Sequence, residues 1–263
     1  MNNISNSLKI TLIQADLEWE NMNANLKYFT QCLEKITLQT DLIVLPELFT
    51  TGFTMNVSSF AEDITGNSIK WMKKIARSMQ VCITGSLLIK EQEKYYNRLI
   101  WMKPTGQYLA YNKRHLFRME GEQLHYAAGT SKLIVNLQKW RIRPLICYDL
   151  RFPVWSRNIS DYDLLIYIAN WPSSRISVWE TLLKARAIEN QCFTIGLNRI
   201  GTDGTGINCC GDSMVIDYKG NIIKRLPRNK DMTETVTLDL KKLNDFRKKF
   251  PVYLDADRFE IIV

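Results

Sequence analysis

Three short stretches of the chain end an apolar run on a side chain able to do chemistry. In DLIVLPE (41–47) Pro46 cannot donate to a sheet ladder, so a strand should stop there and leave Glu47 projecting from its carboxyl end, as a general base would. In QYLAYNK the run closes on Lys113, and in RIRPLICYD (141–149) it gives way to charge at Cys147. A cysteine inside a strand is usually a small hydrophobe, whereas one at a strand's carboxyl end stands where parallel sheets present their functional edge. If the strands before Glu47 and Cys147 run parallel, thiol and carboxylate share that edge. A thiol beside a carboxylate is not activated by repulsion; it needs a nearby cation, or a base that takes its proton. Lys113 and Glu47 supply one each. Taken singly, the three have ordinary readings as a strand-end carboxylate, a solvated ammonium and a core thiol. Taken together they point to covalent catalysis by a cysteine.

The other cysteines (Cys32, Cys82, Cys192, Cys209 and Cys210) show neither C-x-x-C nor paired zinc-ligand spacing, so reduced thiols are expected. A vicinal Cys209–Cys210 disulfide is opposed by covalent geometry. His115 and His125 have no third ligand near them, which makes a zinc site a poor reading. His115 is expected to pack or to support the site, and neither histidine joins the catalytic set.

Strand-like runs rich in Val, Ile, Leu and aromatics recur over 8–16, 41–47, 81–89, 97–104, 132–137, 141–149, 163–170, 192–198, 212–218 and 233–240. Three helices alternate with them. Residues 20–36 put Leu26, Phe29, Cys32, Leu33 and Ile36 on one face, and 68–79 do the same with Ile69, Met72, Ile75, Ala76 and Met79. The third, 177–191, is expected to be capped by Ser177 with Glu180 at the capping-box spacing. KPTGQYLAYNK and DYKGNIIKR read as hairpins turning at Gly106 and Gly220. This alternation implies an α/β sandwich.

The 263 residues, 46% hydrophobic and 24% charged, suit an ordinary globular protein, and with no linker or repeat the expectation is a single domain over 1–263. The net charge of +8 is scattered, with short basic clusters only at Lys139 to Arg143 and Arg247 to Lys249. A solvated basic surface is therefore expected and no nucleic-acid partner. No signal-peptide pattern and no run of ~18 apolar residues stands in the sequence, so the expectation is a cytoplasmic protein without a membrane span.

Glu47 in LPELFTTGF, Lys113 in YNKRHLF and Cys147 in CYDLRFP resemble the Glu, Lys, Cys triad of the nitrilase superfamily in type, order and flanking sequence. The resemblance continues through ANWPSSR (169–175), KARAIENQCFTIGLNRIGTDG (184–204) and GDSMVIDYKGNII (211–223), and its pattern is similar to the omega-amidase branch. It implies a four-layer α-β-β-α sandwich that pairs into a larger eight-layered body, with the tail from about 247 to 263 at a dimer interface. It also implies a second glutamate shortly before Gly129; Glu122 fits that place, with Glu120 as its competitor.

The chemistry implied is hydrolysis of the terminal amide of 2-oxo dicarboxylic acid monoamides through a thioester, with no metal and no organic cofactor. Lys113 and the backbone N–H of Tyr148 would face the oxyanion, and Glu122 would position Lys113 or the substrate amide. A substrate carboxylate calls for a basic group in the pocket, and Arg118, Arg151 and Arg175 are candidates by nearness to motif residues. Arg151 has an equal claim to a structural ion pair. Phe117 and Trp171 are candidate apolar walls. An N-carbamoyl hydrolase or another nitrilase-type amidase would share the triad. A non-enzymatic anion-binding protein would have no need of all three groups.

Overall fold

The computed structural model describes residues 6–262. Two six-stranded sheets form its middle. The first runs in the order β14 (Met232–Asp239), β1 (Ser7–Gln14), β2 (Leu42–Val44), β3 (Cys82–Glu91), β4 (Lys94–Met102), β5 (Tyr108–Asn112). Within it β1, β2 and β3 are parallel, and the other pairs are antiparallel. The second runs β13 (Ile222–Arg225), β12 (Met214–Ile216), β9 (Phe193–Asn198), β8 (Leu164–Ala169), β7 (Trp140–Ile146), β6 (Val135–Leu137), with β7, β8 and β9 parallel.

The layering follows from the two-residue period of a strand. Leu42 and Val44 of β2 join the core that β7, β8 and β9 share, while Ile43 and Leu45 point the other way, into a second core. That second core is covered by α1 (Met22–Glu34) and α3 (Asn67–Met79), through Phe29, Leu33, Ile69, Met72 and Ile75. On the far side Trp179, Leu183 and Ala187 of α6 (Ile176–Glu189) cover the second sheet. Each fully buried aliphatic chain contributes about 1.5–3 kcal/mol, so exposing either sheet face would cost more than the domain can spare. Helix, sheet, sheet, helix is the four-layer sandwich the motifs implied. Gly196 shows how close α6 lies: a Cβ there would stand 2.3 Å from Leu183 and 2.7 Å from Trp179.

Three local expectations are corrected. Ser177 does not cap α6, which begins at Ile176 because the 3₁₀ turn Ser173–Arg175 feeds straight into it; Glu180 pairs instead with Lys184 at 2.7 Å and Arg225 at 2.6 Å. A small hairpin of β10 (Ile200–Thr202) and β11 (Asn208–Cys210) stands where no strands were read, its glycine-rich turn hiding any alternation. Finally, the strands before Glu47 and Cys147 do not share one sheet edge. β2 lies in the first sheet and β7 in the second, so the groups meet across the sandwich.

Candidate active site

Each of the three chemical groups follows a strand directly or within a few residues. Cys147 comes immediately after β7 and adopts φ +42°, left-handed backbone that a side chain with a Cβ enters only under constraint. The sharp turn lifts the thiol out of the sheet and leaves it half-buried at the head of a cleft. Glu47 follows β2 after Leu45 and Pro46, and Leu48 behind it is again left-handed, at φ +44°. Lys113 is the first residue past β5. Glu47 and Lys113 are both buried, which overturns the surface readings each has alone.

The Lys113 ammonium lies 3.0 Å from Glu47 Oε1 and 2.9 and 3.0 Å from the two oxygens of Glu122. Glu122 starts α4 (Glu122–His125) and also accepts the N–H of Phe117, so it holds both the lysine and the loop over it. Glu120, its competitor in sequence, is exposed and lines the cleft. Glu47 is gripped from two sides: Asn97 donates to Oε1 at 2.7 Å, and the backbone N–H and side chain of Asn170 donate to Oε2 at 2.8 and 3.3 Å. The carbonyl of the same Asn170 stands 4.0 Å from Cys147 Sγ.

Burial pushes the Cys147 thiol well above its ordinary pKa, the Glu47 charge pushes it further, and Lys113 offsets only part. Burial alone would pull the Lys113 ammonium down, but Glu122 and then Glu47 outweigh it and keep it charged. Burial raises Glu122, against the pull of Lys113. The resting state is therefore a neutral thiol beside a carboxylate and a fixed cation. Such a site can move a proton from sulfur to carboxylate at the moment of attack, with the ammonium placed for a developing oxyanion.

Tyr148, Phe117, Trp171, Arg151 and Arg175 line the same cleft. Arg151 stacks over Trp171 at 5.1 Å and Arg175 over Phe117 at 5.1 Å, and among the described residues neither has a carboxylate in ion-pair reach. The ion-pair reading of Arg151 therefore fails. Arg118 does not line the cleft: it opens the 3₁₀ turn Arg118–Glu120 and faces solvent, because the bond from Phe117 to Glu122 tucks the next residue outward. His115 packs behind the site, and His125 is exposed.

Sequence reasoning missed Asn97, Asn170, Phe53 and the hairpin wall of Asp203, Ile207 and Cys209. Asn170 had a signal, since it ends the run DLLIYIAN as Glu47 and Cys147 end theirs. Asn97 reads as an ordinary polar residue at the start of an apolar run.

The carbon-nitrogen hydrolase family model matches residues 9–248. The omega-amidase YafV of Escherichia coli K12 is 46% identical over 256 residues, covering 97% of this chain and 98% of the relative. The 2-oxoglutaramate amidase of Bacillus subtilis strain 168 is 32% identical, over 94% and 96% of the two chains. The crystal structure of XC1258 from Xanthomonas campestris, a CN-hydrolase superfamily protein with an arsenic adduct in its active site, superposes with a TM-score of 0.94. It is 41% identical and covers 97% of this chain and 99% of its own. With an ordered family match along nearly its whole length and the sandwich beneath it, this chain belongs to the carbon-nitrogen hydrolases, as an amidohydrolase of the omega-amidase branch of the nitrilase superfamily.

Proposed function

We propose that the protein hydrolyses the terminal amide of 2-oxo dicarboxylic acid monoamides, such as 2-oxoglutaramate and 2-oxosuccinamate, through a thioester on Cys147. The reading is carried by one arrangement: a strained thiol turn at the head of a cleft whose floor is the Glu47–Lys113 pair, 3.0 Å apart. Glu47 takes the thiol proton as sulfur attacks the amide carbon, and the carbonyl oxygen becomes an oxyanion facing Lys113 Nζ and the Tyr148 N–H. When the C–N bond breaks, Glu47 returns the proton to departing ammonia. Glu47 then takes a proton from water, the hydroxide adds to the thioester, and as the C–S bond breaks Glu47 gives that proton back to sulfur while the 2-oxo acid leaves. Glu122 acts through Lys113, which it fixes and keeps charged. No step in this scheme calls for a metal or an organic cofactor.

The substrate class is supported by two arginines in the cleft that pair with no carboxylate among the described residues, and by relatives named omega-amidase and 2-oxoglutaramate amidase. Ammonia release is expected from the 2-oxo monoamides and not from N-carbamoyl amino acids or nitriles. Arg151→Met or Arg175→Met should lower kcat/KM for the anionic amide by roughly 10- to 100-fold, the value of a hydrogen bond to a charged group, and spare a neutral amide. A kcat/KM that favours a carbamoyl substrate would reassign the enzyme within the superfamily.

The exposed Phe250, Tyr253 and Leu254 of the tail fit a homodimer interface. Light scattering should give twice the chain mass, and Tyr253→Glu with Leu254→Glu should give the monomer; a monomeric parent would end that reading. Reduced thiols fit a cytoplasmic location.

A further inference from the structure

Behind the thiol turn lies a further buried carboxyl group besides Glu47 and Glu122, Asp149, which no step of the proposed reaction uses. It is fully shielded from solvent and accepts four hydrogen bonds, two on each oxygen. Oδ1 takes the backbone N–H of His115 at 3.0 Å and its ring Nδ1 at 2.8 Å. Oδ2 takes the Tyr111 hydroxyl at 2.7 Å and the backbone N–H of Ile146 at 3.1 Å. With the carboxyl oxygen as acceptor, it is the Nδ1–H tautomer of the ring that completes this set of contacts. Tyr111 has no freedom to turn away, because its oxygen already accepts from Trp155 Nε1 at 3.0 Å and the Arg114 N–H at 3.2 Å.

The chain positions of these donors carry the inference. Ile146 immediately precedes the nucleophile, while Tyr111 and His115 flank Lys113 on either side. One carboxylate thus fastens the turn bearing the thiol to the segment bearing the ammonium, across two separate sheets. The carbon under attack must sit between Cys147 Sγ and Lys113 Nζ, so their separation is a catalytic quantity. The left-handed backbone of Cys147 also persists only if its surroundings over-determine it, and the bond from Ile146 to Asp149 closes that turn.

We infer that Asp149 is a positioning residue that sets the distance and angle between the Cys147 nucleophile and the Lys113 oxyanion donor, with His115 holding its outer oxygen. The inference rests on the catalytic assignment of those two residues made above. His115 stacks flat on Phe152, with ring centroids 3.7 Å apart at 5°, which keeps the ring edge aimed at the carboxylate.

Asp149→Asn tests it with almost no change of shape. Whichever way the amide turns, its NH2 meets two donors, so the clamp opens on one side while the core volume is kept. The expected result is a fall in kcat of about 100-fold, as for a misplacement near 1 Å, with KM little changed because the arginines are untouched. Alkylation of Cys147 by iodoacetamide should slow alongside. His115→Ala, which removes the ring bond and the Phe152 stack at a partly exposed position but keeps the backbone N–H to Asp149, should lower kcat about ten-fold at constant KM, and it decides the matter if Asp149→Asn does not fold. A merely structural role would lower the melting temperature and leave kcat per titrated Cys147 at the parent value; that outcome overturns the inference. Retained turnover in Cys147→Ala would instead bring down the catalytic assignment beneath it, so the two failures are told apart.

Discussion

Cys147→Ala is expected to abolish amide hydrolysis, with a loss of roughly 10⁶-fold in kcat, the scale on which removal of a covalent nucleophile is felt. Cys209 lines the same cleft, but it sits on the hairpin wall and, among the described residues, makes no hydrogen bond to a carboxylate that could take its proton as Glu47 does for Cys147. Cys192→Ala serves as the control. That thiol is fully buried in the core beside Thr194 and does not line the cleft, so its removal should change turnover little. Intact-mass spectrometry after an alkylating amide should place one adduct on Cys147. A label on Cys192 or Cys82, with Cys147 unmodified and dispensable, would sink the assignment. The pH profile adds an independent reading. Burial and the Glu47 charge hold the Cys147 pKa above its ordinary range, so at neutral pH the reactive ground state is already the thiol, with its proton due to pass to Glu47. Lowering the pH from about 9 to about 7 should therefore leave kcat/KM level, whereas an enzyme dependent on a free thiolate of ordinary pKa, near 8.5, would lose activity over that range.

The parts of this site that were legible in sequence are those where a strand must stop. Pro46 ends a ladder, the apolar run PLI gives way to charge, and YLAYN reaches a lysine; each break puts a functional group at a strand end without reference to the rest of the chain. Glu122 was legible only through resemblance, since a glutamate in a polar loop has no local mark of burial. What could not be read was which sheet each strand joins. Parallel neighbours on one edge and facing strands in two sheets give the same hydrophobic pattern, and here the second arrangement holds. The asparagines escaped for a related reason. Asn97 and Asn170 matter because Glu47 lies between them, a fact of tertiary packing that no period of two or of 3.6 encodes. Nearness in sequence could not show that Arg118 lies on a 3₁₀ turn facing solvent, outside the cleft lining.

Glu47→Gln separates the proton carrier from the nucleophile. In the proposed cycle Glu47 acts four times: it receives the thiol proton, delivers it to ammonia, takes one from water and returns that one to sulfur. General acid–base catalysis is worth about 10²–10⁴-fold, and a group used at every stage should stand at the upper end, so amide turnover should fall about 10⁴-fold. The geometry adds to the loss, because both oxygens already accept: Asn97 and Lys113 at one, the Asn170 N–H and side chain at the other. A glutamine NH2 must meet donors wherever it turns, and the neutral side chain also takes a counter-charge from Lys113. An activated ester of the same 2-oxo acid distinguishes the roles, since its leaving group needs no proton. With that ester, Glu47→Gln should still acylate Cys147, slowly, and then stall, because the attacking water has lost its base. Intact mass should then show a stable acyl-enzyme at one equivalent, which the parent enzyme does not accumulate. Parent-level amide turnover in Glu47→Gln, or full ester turnover without an acyl-enzyme, would remove Glu47 from the mechanism and leave it as a structural anchor for Asn97, Asn170 and Lys113.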